Sequence, residues 1–291
     1  MGSRAGGGAA VSAAGFGVKG PRGWAFRDVD IDAPAGSLVV IEGPSGSGRT
    51  CLLLALTGRM RPSAGTARVG ALRLPRQMAA LRRISALAHV QGVTDLDPAL
   101  TVAEHLRERA LLQRRFGGGL RGLLRPRSER AAEARLRIDT ALAAAGLDRE
   151  SLPKGSRTAV RDLERTEALR LSLALALIGR PELLGVDDTD LKLSDAEREA
   201  VWAQLRSIAA AGTTVLAVCS EAPPETADTA DTTHTVDTVV VRTAQARTAA
   251  AAEAATTATA TATAGTDTNT DTDTDTDGGT TDDALAEAGR S

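Results

Sequence analysis

Residues 43–50 read Gly43-Pro44-Ser45-Gly46-Ser47-Gly48-Arg49-Thr50. Glycines at this spacing ahead of a hydroxyl residue fold into a turn whose backbone N–H groups converge on one oxyanion, and the pattern is G-x-x-x-x-G-K-[ST] with Arg49 in the lysine position. The chemistry expected of it is phosphate binding. Backbone N–H groups and a helix N-terminus hold the phosphates, the cationic side chain neutralises the terminal ones, and the Thr50 hydroxyl takes a magnesium ion. Arg49 keeps the charge but not the shape, because a guanidinium is planar and wider than an ammonium and meets phosphate from a different angle. The alternative is a turn that binds nothing.

A magnesium ion on a phosphate calls for a carboxylate at the end of a second buried strand. Leu183-Leu184-Gly185-Val186-Asp187-Asp188 supplies one, with Asp187 in the metal position and Asp188 beside it. The competing reading is a pair of carboxylates that cap a strand end.

These groups can act only if a strand, a glycine loop and a helix follow one another, and the flanking residues provide that context. Leu38-Val39-Val40-Ile41 is a buried-strand run, and Cys51-Leu52-Leu53-Leu54-Ala55-Leu56 an apolar helix. Further strands are expected at 14–18, 24–31, 66–74, 84–90, 183–186, 213–218 and 238–242. Helices are expected at 78–83, 168–178 and 194–210, with an arginine-rich helical region at 102–146 broken by Gly117-Gly118-Gly119. Continuously apolar strands alternating with helices predict an α/β fold with a mostly parallel central sheet flanked by helices, that of a P-loop NTPase.

Composition limits where that fold lies. The chain has 291 residues, 42% of them apolar. Residues 1–12, mostly Gly, Ala and Ser, and the Ala/Thr/Asp-rich tail 245–291 carry too little apolar surface to offset the entropy of ordering, so both are expected to be disordered. The globular domain is placed at 13–244, with a helical subdomain at about 92–178. From Thr248 to Ser291 nine Asp/Glu face Arg290 alone, a net of −8, which leaves +6 on the rest of a chain whose total is −2. Ten arginines between Arg107 and Arg137 provide most of that excess. This stretch is either a solvated helical face or a contact for anionic lipid, an acidic partner or the tail. Nucleic acid is not favoured, since Phe116 is its sole aromatic. Cys51 and Cys219 form no disulfide framework, and no run approaches a membrane span, so a cytoplasmic protein is expected.

The order of these elements over residues 13–243 resembles the ATP-binding subunits of ABC transporters. Leu173-Ala174-Leu175-Ala176-Leu177-Ile178-Gly179-Arg180-Pro181-Glu182-Leu183-Leu184 is similar to the family's helix running into its second nucleotide strand. Ala25-Phe26-Arg27-Asp28-Val29-Asp30-Ile31 with Pro34-Ala35-Gly36 is similar to its N-terminal strand and turn. Pro98-Ala99-Leu100-Thr101-Val102-Ala103-Glu104-His105-Leu106 resembles the segment after its glutamine loop, which makes Gln91 the candidate glutamine.

The resemblance implies ATP and Mg2+ as ligands. Residues Gly43 to Thr50 would hold the phosphates, Thr50, Asp187 and Gln91 the metal, and Asp188 with Gln91 would act in hydrolysis. Trp24 would be the adenine platform, or else a packed strand residue. Three positions depart from the family. The signature Leu-Ser-Gly-Gly-Gln falls on Leu163-Glu164-Arg165-Thr166-Glu167, the catalytic glutamate on Asp188, and the switch histidine on Ser220. The expected protein is therefore the ATP-binding subunit of a bacterial ABC transporter with weak or partner-dependent ATPase activity. It would pair with a second ATP-binding domain and a separate transmembrane subunit, on the inner face of the membrane. The alternative is a non-hydrolysing nucleotide-binding module that regulates or assembles a membrane protein.

Overall fold

The structure is a computed structural model that describes residues 7–117, 126–190, 193–223 and 236–243. The tail 245–291 and most of the glycine break after Gly117 lie outside the described residues, as does His234.

Two sheets build the molecule. The first is antiparallel, in the order β2 (Gly23–Ala33), β1 (Val11–Gly20), β4 (Ala64–Val69), β5 (Leu72–Leu74). The second is parallel, in the order β6 (Ser85–Ala88), β7 (Leu183–Val186), β8 (Thr214–Cys219), β3 (Leu38–Glu42), β9 (Thr238–Arg242). The helices are α1 (Arg49–Leu56), α2 (Met78–Ile84), α3 (Val102–Gly117), α4 (Arg127–Ala144), α5 (Arg165–Leu177) and α6 (Asp195–Ala210).

The parallel strands are largely apolar because the sheet is covered on both faces, and alternate residues serve opposite sides. Leu38, Val40, Leu184, Val186, Val215 and Ala217 join a core with helices α3 to α6. Val39, Ile41, Leu183, Leu216 and Val218 join another with α1, α2 and the antiparallel sheet. Helices thus flank one face of the central sheet, while the other is closed largely by a second sheet that the sequence pattern does not reveal. The helical stretch shares its core with the parallel sheet.

Two boundaries differ from expectation. The strand expected at 66–74 is a hairpin of β4 and β5 turning at Gly70, whose φ of 55° only glycine adopts readily. β1 begins at Val11, inside the 1–12 stretch expected to be disordered, and Ala9 is already buried, its N–H donating to Glu182 O at 3.1 Å. A backbone bond to Glu182, just before β7, orders these small residues, and composition carries no trace of it.

α1 is held at both ends. Leu52, Leu53, Ala55 and Leu56 are buried along it, each leucine contributing roughly 1.5–3 kcal/mol. Past its C-terminus, Arg59 donates to Thr57 O at 2.7 Å and to Ser85 Oγ at 2.8 Å, tying the helix to the start of β6. Burial, reinforced by Arg82 and Arg109, brings the Arg59 pKa down to about 10, which still leaves the guanidinium charged at neutral pH.

Candidate nucleotide site

The phosphate loop runs from the end of β3, an interior strand, into α1 at the parallel sheet's C-terminal edge, where ligands of open α/β sheets bind. Ser47 N–H donates to Pro44 O at 3.1 Å, closing the turn, and Leu52 N–H to Gly48 O at 2.9 Å, opening the helix. Pro44, Ser45 and Gly46 are exposed, whereas Gly43 and Ser47 are buried, so the tip of the loop faces solvent and its base is packed. No acidic residue stands in the first turn of α1, which leaves the positive end of the helix dipole open to an anion. Gly48 has φ 88°, and a Cβ there would lie 2.1 Å from Ala25 O in β2. The antiparallel sheet therefore touches the loop directly.

Asp187 follows β7 and is 3% exposed. Its Oδ2 accepts from Thr50 Oγ1 at 2.8 Å and its Oδ1 from Asp188 N–H at 3.1 Å. The bond from Thr50 joins the start of α1 to the end of the second strand. Burial pushes the Asp187 carboxyl pKa up, the Thr50 hydrogen bond opposes it, the Asp188 charge adds to it, and Arg49 pulls it down. The carboxylate is costly in place until a cation offsets it. A hydroxyl and a carboxylate are hard oxygen donors that suit magnesium, and the fit needs no larger cage: that ion takes one or two protein ligands and completes its shell with phosphate and water. Among the described residues no group of three or more His, Cys, Asp or Glu side chains could hold a metal by itself.

Asp188 is half-buried with φ 48°, a conformation that costs a non-glycine residue about 1–3 kcal/mol. Ser220 is exposed after β8, its N–H donating to Asp190 Oδ2 at 2.7 Å. Trp24, half-buried, pairs across the sheet with Lys19, whose ammonium lies 5.9 Å from the indole centroid. Its neighbour Ala25 is the residue that meets Gly48. Leu163 packs on the core, and Glu164 starts α5 with Glu167 Oε2 accepting its N–H at 2.8 Å. That helix end is closed by the protein's own carboxylates.

Gln91 lies exposed in the turn closed by Val93 N–H donating to Val90 O. His89 is the side chain brought toward the carboxylates. Ala88 and Val186 are in register, so the residues after them, His89 and Asp187, stand abreast. Burial lowers the His89 pKa, and the charges of Asp188 and Asp187 oppose that shift. The sequence expectation of a strand at 84–90 put His89 inside that strand, whereas β6 ends at Ala88 and His89 is the first residue beyond it, as Asp187 is beyond β7.

The two cysteines border this site. Cys219 is fully buried, and desolvation, with Asp190 and Glu42 adding to it, pushes its thiol pKa up to about 12. Burial and then Asp187 raise that of Cys51. A thiol reacts as its thiolate. At pH 8 both should label at least about tenfold more slowly with a thiol reagent in native protein than after denaturation, as the release of reporter thiol over time will show.

A P-loop nucleotide-binding fold with its phosphate loop, hydroxyl and strand-end carboxylate in register is the class of protein defined here. A family model described as "ABC transporter" matches residues 26–190, more than half of the chain, and the chain belongs to that family. It is similar to the Nod factor export ATP-binding protein I of Cupriavidus metallidurans, with 29% identity over 65% of this chain and 55% of that protein. It is likewise similar to the Fe(3+) ions import ATP-binding protein FbpC of Streptomyces avermitilis, with 32% identity over 65% of this chain and 49% of the other. The chain spans about half the length of such relatives. Among solved structures, it shares the fold of a dimeric ATP-binding cassette bound to ADP and Pi, with TM-score 0.56 and 20% identity over 72% of this chain and 88% of that one. Among the described residues no helix is long and apolar enough to cross a membrane.

Proposed function

We propose that this chain is the ATP-binding subunit of an ABC transporter, binding MgATP at the phosphate loop and coupling binding and weak hydrolysis to a separate transmembrane subunit at the inner face of the membrane. The observation that carries the reading is the 2.8 Å bond from Thr50 to Asp187, which joins phosphate loop and strand-end carboxylate into one site. Relatives named as ATP-binding proteins of export and import support it. Thr50 and Asp187 would hold the metal. The loop amides and Arg49 would hold the phosphates, and Trp24, one residue from the loop contact, would carry the adenine. Bound magnesium would supply charge neutralisation and Lewis acidity at the phosphates.

Weak hydrolysis follows from what the chain offers the terminal phosphate. Asp188 is one methylene shorter than a glutamate, about 1.5 Å of reach, and general-base geometry is sensitive at that scale. Ser220 is neutral. Glu164 and Glu167 set negative charge at the N-terminus of α5, which disfavours a phosphate of an opposing subunit there. A second ATP-binding domain is the proposed partner, and this acidic helix end favours one that is not identical.

The same closed helix end favours the second reading, a nucleotide-binding module that does not hydrolyse. Binding and turnover of MgATP, measured separately on the purified chain, decide between them. Slow turnover lost in Thr50→Ala supports the ATPase. Binding with no turnover, alone or with the transmembrane partner, supports the module, and no binding at millimolar MgATP would sink both.

A further inference from the structure

We infer that Thr243, some 200 residues from the phosphate loop in sequence, is a positioning residue of that loop, its hydroxyl holding the loop base through Ser47 in the shape that accepts phosphate. The inference rests on the loop's proposed nucleotide binding and adds to it a residue outside the loop motif. Among the described residues β9 is the edge strand of the parallel sheet and pairs with β3 alone. Its register runs Ile41 to Val241 and Glu42 to Arg242, so the next residues, Gly43 and Thr243, leave the sheet side by side. Thr243 then turns back on β3. Its N–H donates to Glu42 O at 3.1 Å and its hydroxyl to the same carbonyl at 3.3 Å.

The other contact of that hydroxyl is Ser47 Oγ at 2.7 Å. With Thr243 Oγ1 donating to Glu42 O, the Ser47 hydroxyl is the donor, and a chain of two hydroxyls ends on a backbone carbonyl. Both residues are buried, Ser47 at 6% and Thr243 at 3% exposure, where an unpaired hydroxyl is costly. The bridge passes directly behind Gly43: a Cβ there would lie 2.7 Å from Thr243 Oγ1 and 2.8 Å from Ser47 Oγ. One side of the loop base is therefore fixed by Thr243 and the other by Ala25 against Gly48, while the phosphate-facing tip at 44–46 stays open. Loop amides bind an oxyanion well only when they already converge on it, so the pin acts on affinity through shape.

The test is MgATP affinity by titration calorimetry, with thermal melting of the ligand-free proteins alongside. Thr243→Val keeps the volume and removes the hydroxyl, and should weaken MgATP binding about five- to tenfold, the equivalent of one buried hydrogen bond. Thr243→Ser should stay within about twofold of wild type, since it keeps the bridging oxygen. Ser47→Ala, which breaks the bridge alone, should lose no more than Thr243→Val, which also breaks the bond to Glu42 O, and the double variant should lose no more than Thr243→Val, because the bridge they share is broken once. A general loss of stability would lower the melting temperature but would not give this non-additivity or the rescue by serine. Should Thr243→Val fail to fold, Ser47→Ala compared with Thr243→Ser carries the same contrast. Wild-type affinity retained by Thr243→Val or by Ser47→Ala, or losses that multiply in the double variant, would overturn the inference. A wild-type protein that binds no MgATP would instead remove the nucleotide reading itself.

Discussion

Replacing Gly48 by alanine should abolish MgATP binding and lower the stability of the protein by about 3 kcal/mol or more, the range of severe single substitutions. Two effects add. The backbone sits at φ 88°, where a side chain costs about 1–3 kcal/mol, and the new Cβ would stand 2.1 Å from Ala25 O and 2.7 Å from Ala25 C. That carbonyl belongs to a strand of the antiparallel sheet and cannot swing aside as a side-chain tip can. Relief requires that the loop and β2 separate, which moves the helix N-terminus away from the phosphate position. Gly92→Ala is the matching control, because Gly92 has φ 74° with open space around its Cβ position. It should cost only about 1 kcal/mol and leave MgATP affinity unchanged. Urea unfolding and nucleotide titration of the two variants separate strain from collision, and equal losses would show that the β2 contact is unimportant.

The second large effect has opposite signs on stability and on binding. Asp187→Asn should raise the melting temperature of the ligand-free protein at pH 7.5 by a few degrees while weakening magnesium-dependent nucleotide binding by a factor of ten or more. The sign follows from the direction of the shift. Burial raises the Asp187 pKa above its unfolded value, so its favourable contribution is present at low pH and is lost as pH rises through the folded pKa. Above the folded pKa the wild-type protein bears the cost of a desolvated carboxylate. Asparagine keeps one acceptor oxygen for the Asp188 N–H, and its NH2 donates to Thr50 Oγ1 once that hydroxyl turns to accept, so both contacts persist without the charge. The melting advantage should shrink as the pH is lowered toward the folded pKa. With saturating MgATP the order should reverse, because the ligand stabilises only the form that binds it. A lower melting temperature for the ligand-free variant at pH 7.5 would show that Asp187 is not held against its own charge.

What the sequence disclosed, it disclosed through continuous apolar runs and glycine spacing. Residues 38–41 and 183–186 are buried on both faces, and a strand so placed has only one reading, while the half-buried edge strand at 238–242 is marked by its three consecutive valines, which is why the limits agree with β3, β7 and β9. Loop chemistry led to the expectation that Thr50 and Asp187 serve one metal, and in the structure the two side chains share a direct hydrogen bond. Information that belongs to pairing was not legible. Val11 and Ser12 are strand residues because β2 and β4 hydrogen-bond them, not because of any local preference. Register likewise determines which residue after β6 meets the carboxylates. The family resemblance implies Gln91 as the glutamine, and register adds His89, which is abreast of Asp187. Thr243 carries no motif and is found only through its contact with Ser47.

β3 is paired along both edges, to β8 on one side and β9 on the other, and its first four residues are fully buried. The loop it launches is exposed only a few residues later, at Pro44 to Gly46. Over that short distance the chain passes from a strand whose amides open only with the whole sheet to a tip that needs no sheet opening to move. The two run on separate clocks. Loop rearrangements in this class of motion fall in the nanosecond-to-millisecond range, whereas opening of a central strand waits on global unfolding. Ligand can therefore arrive and leave many times within the lifetime of a single folded molecule, and the anchor that fixes the loop's position is untouched by its traffic.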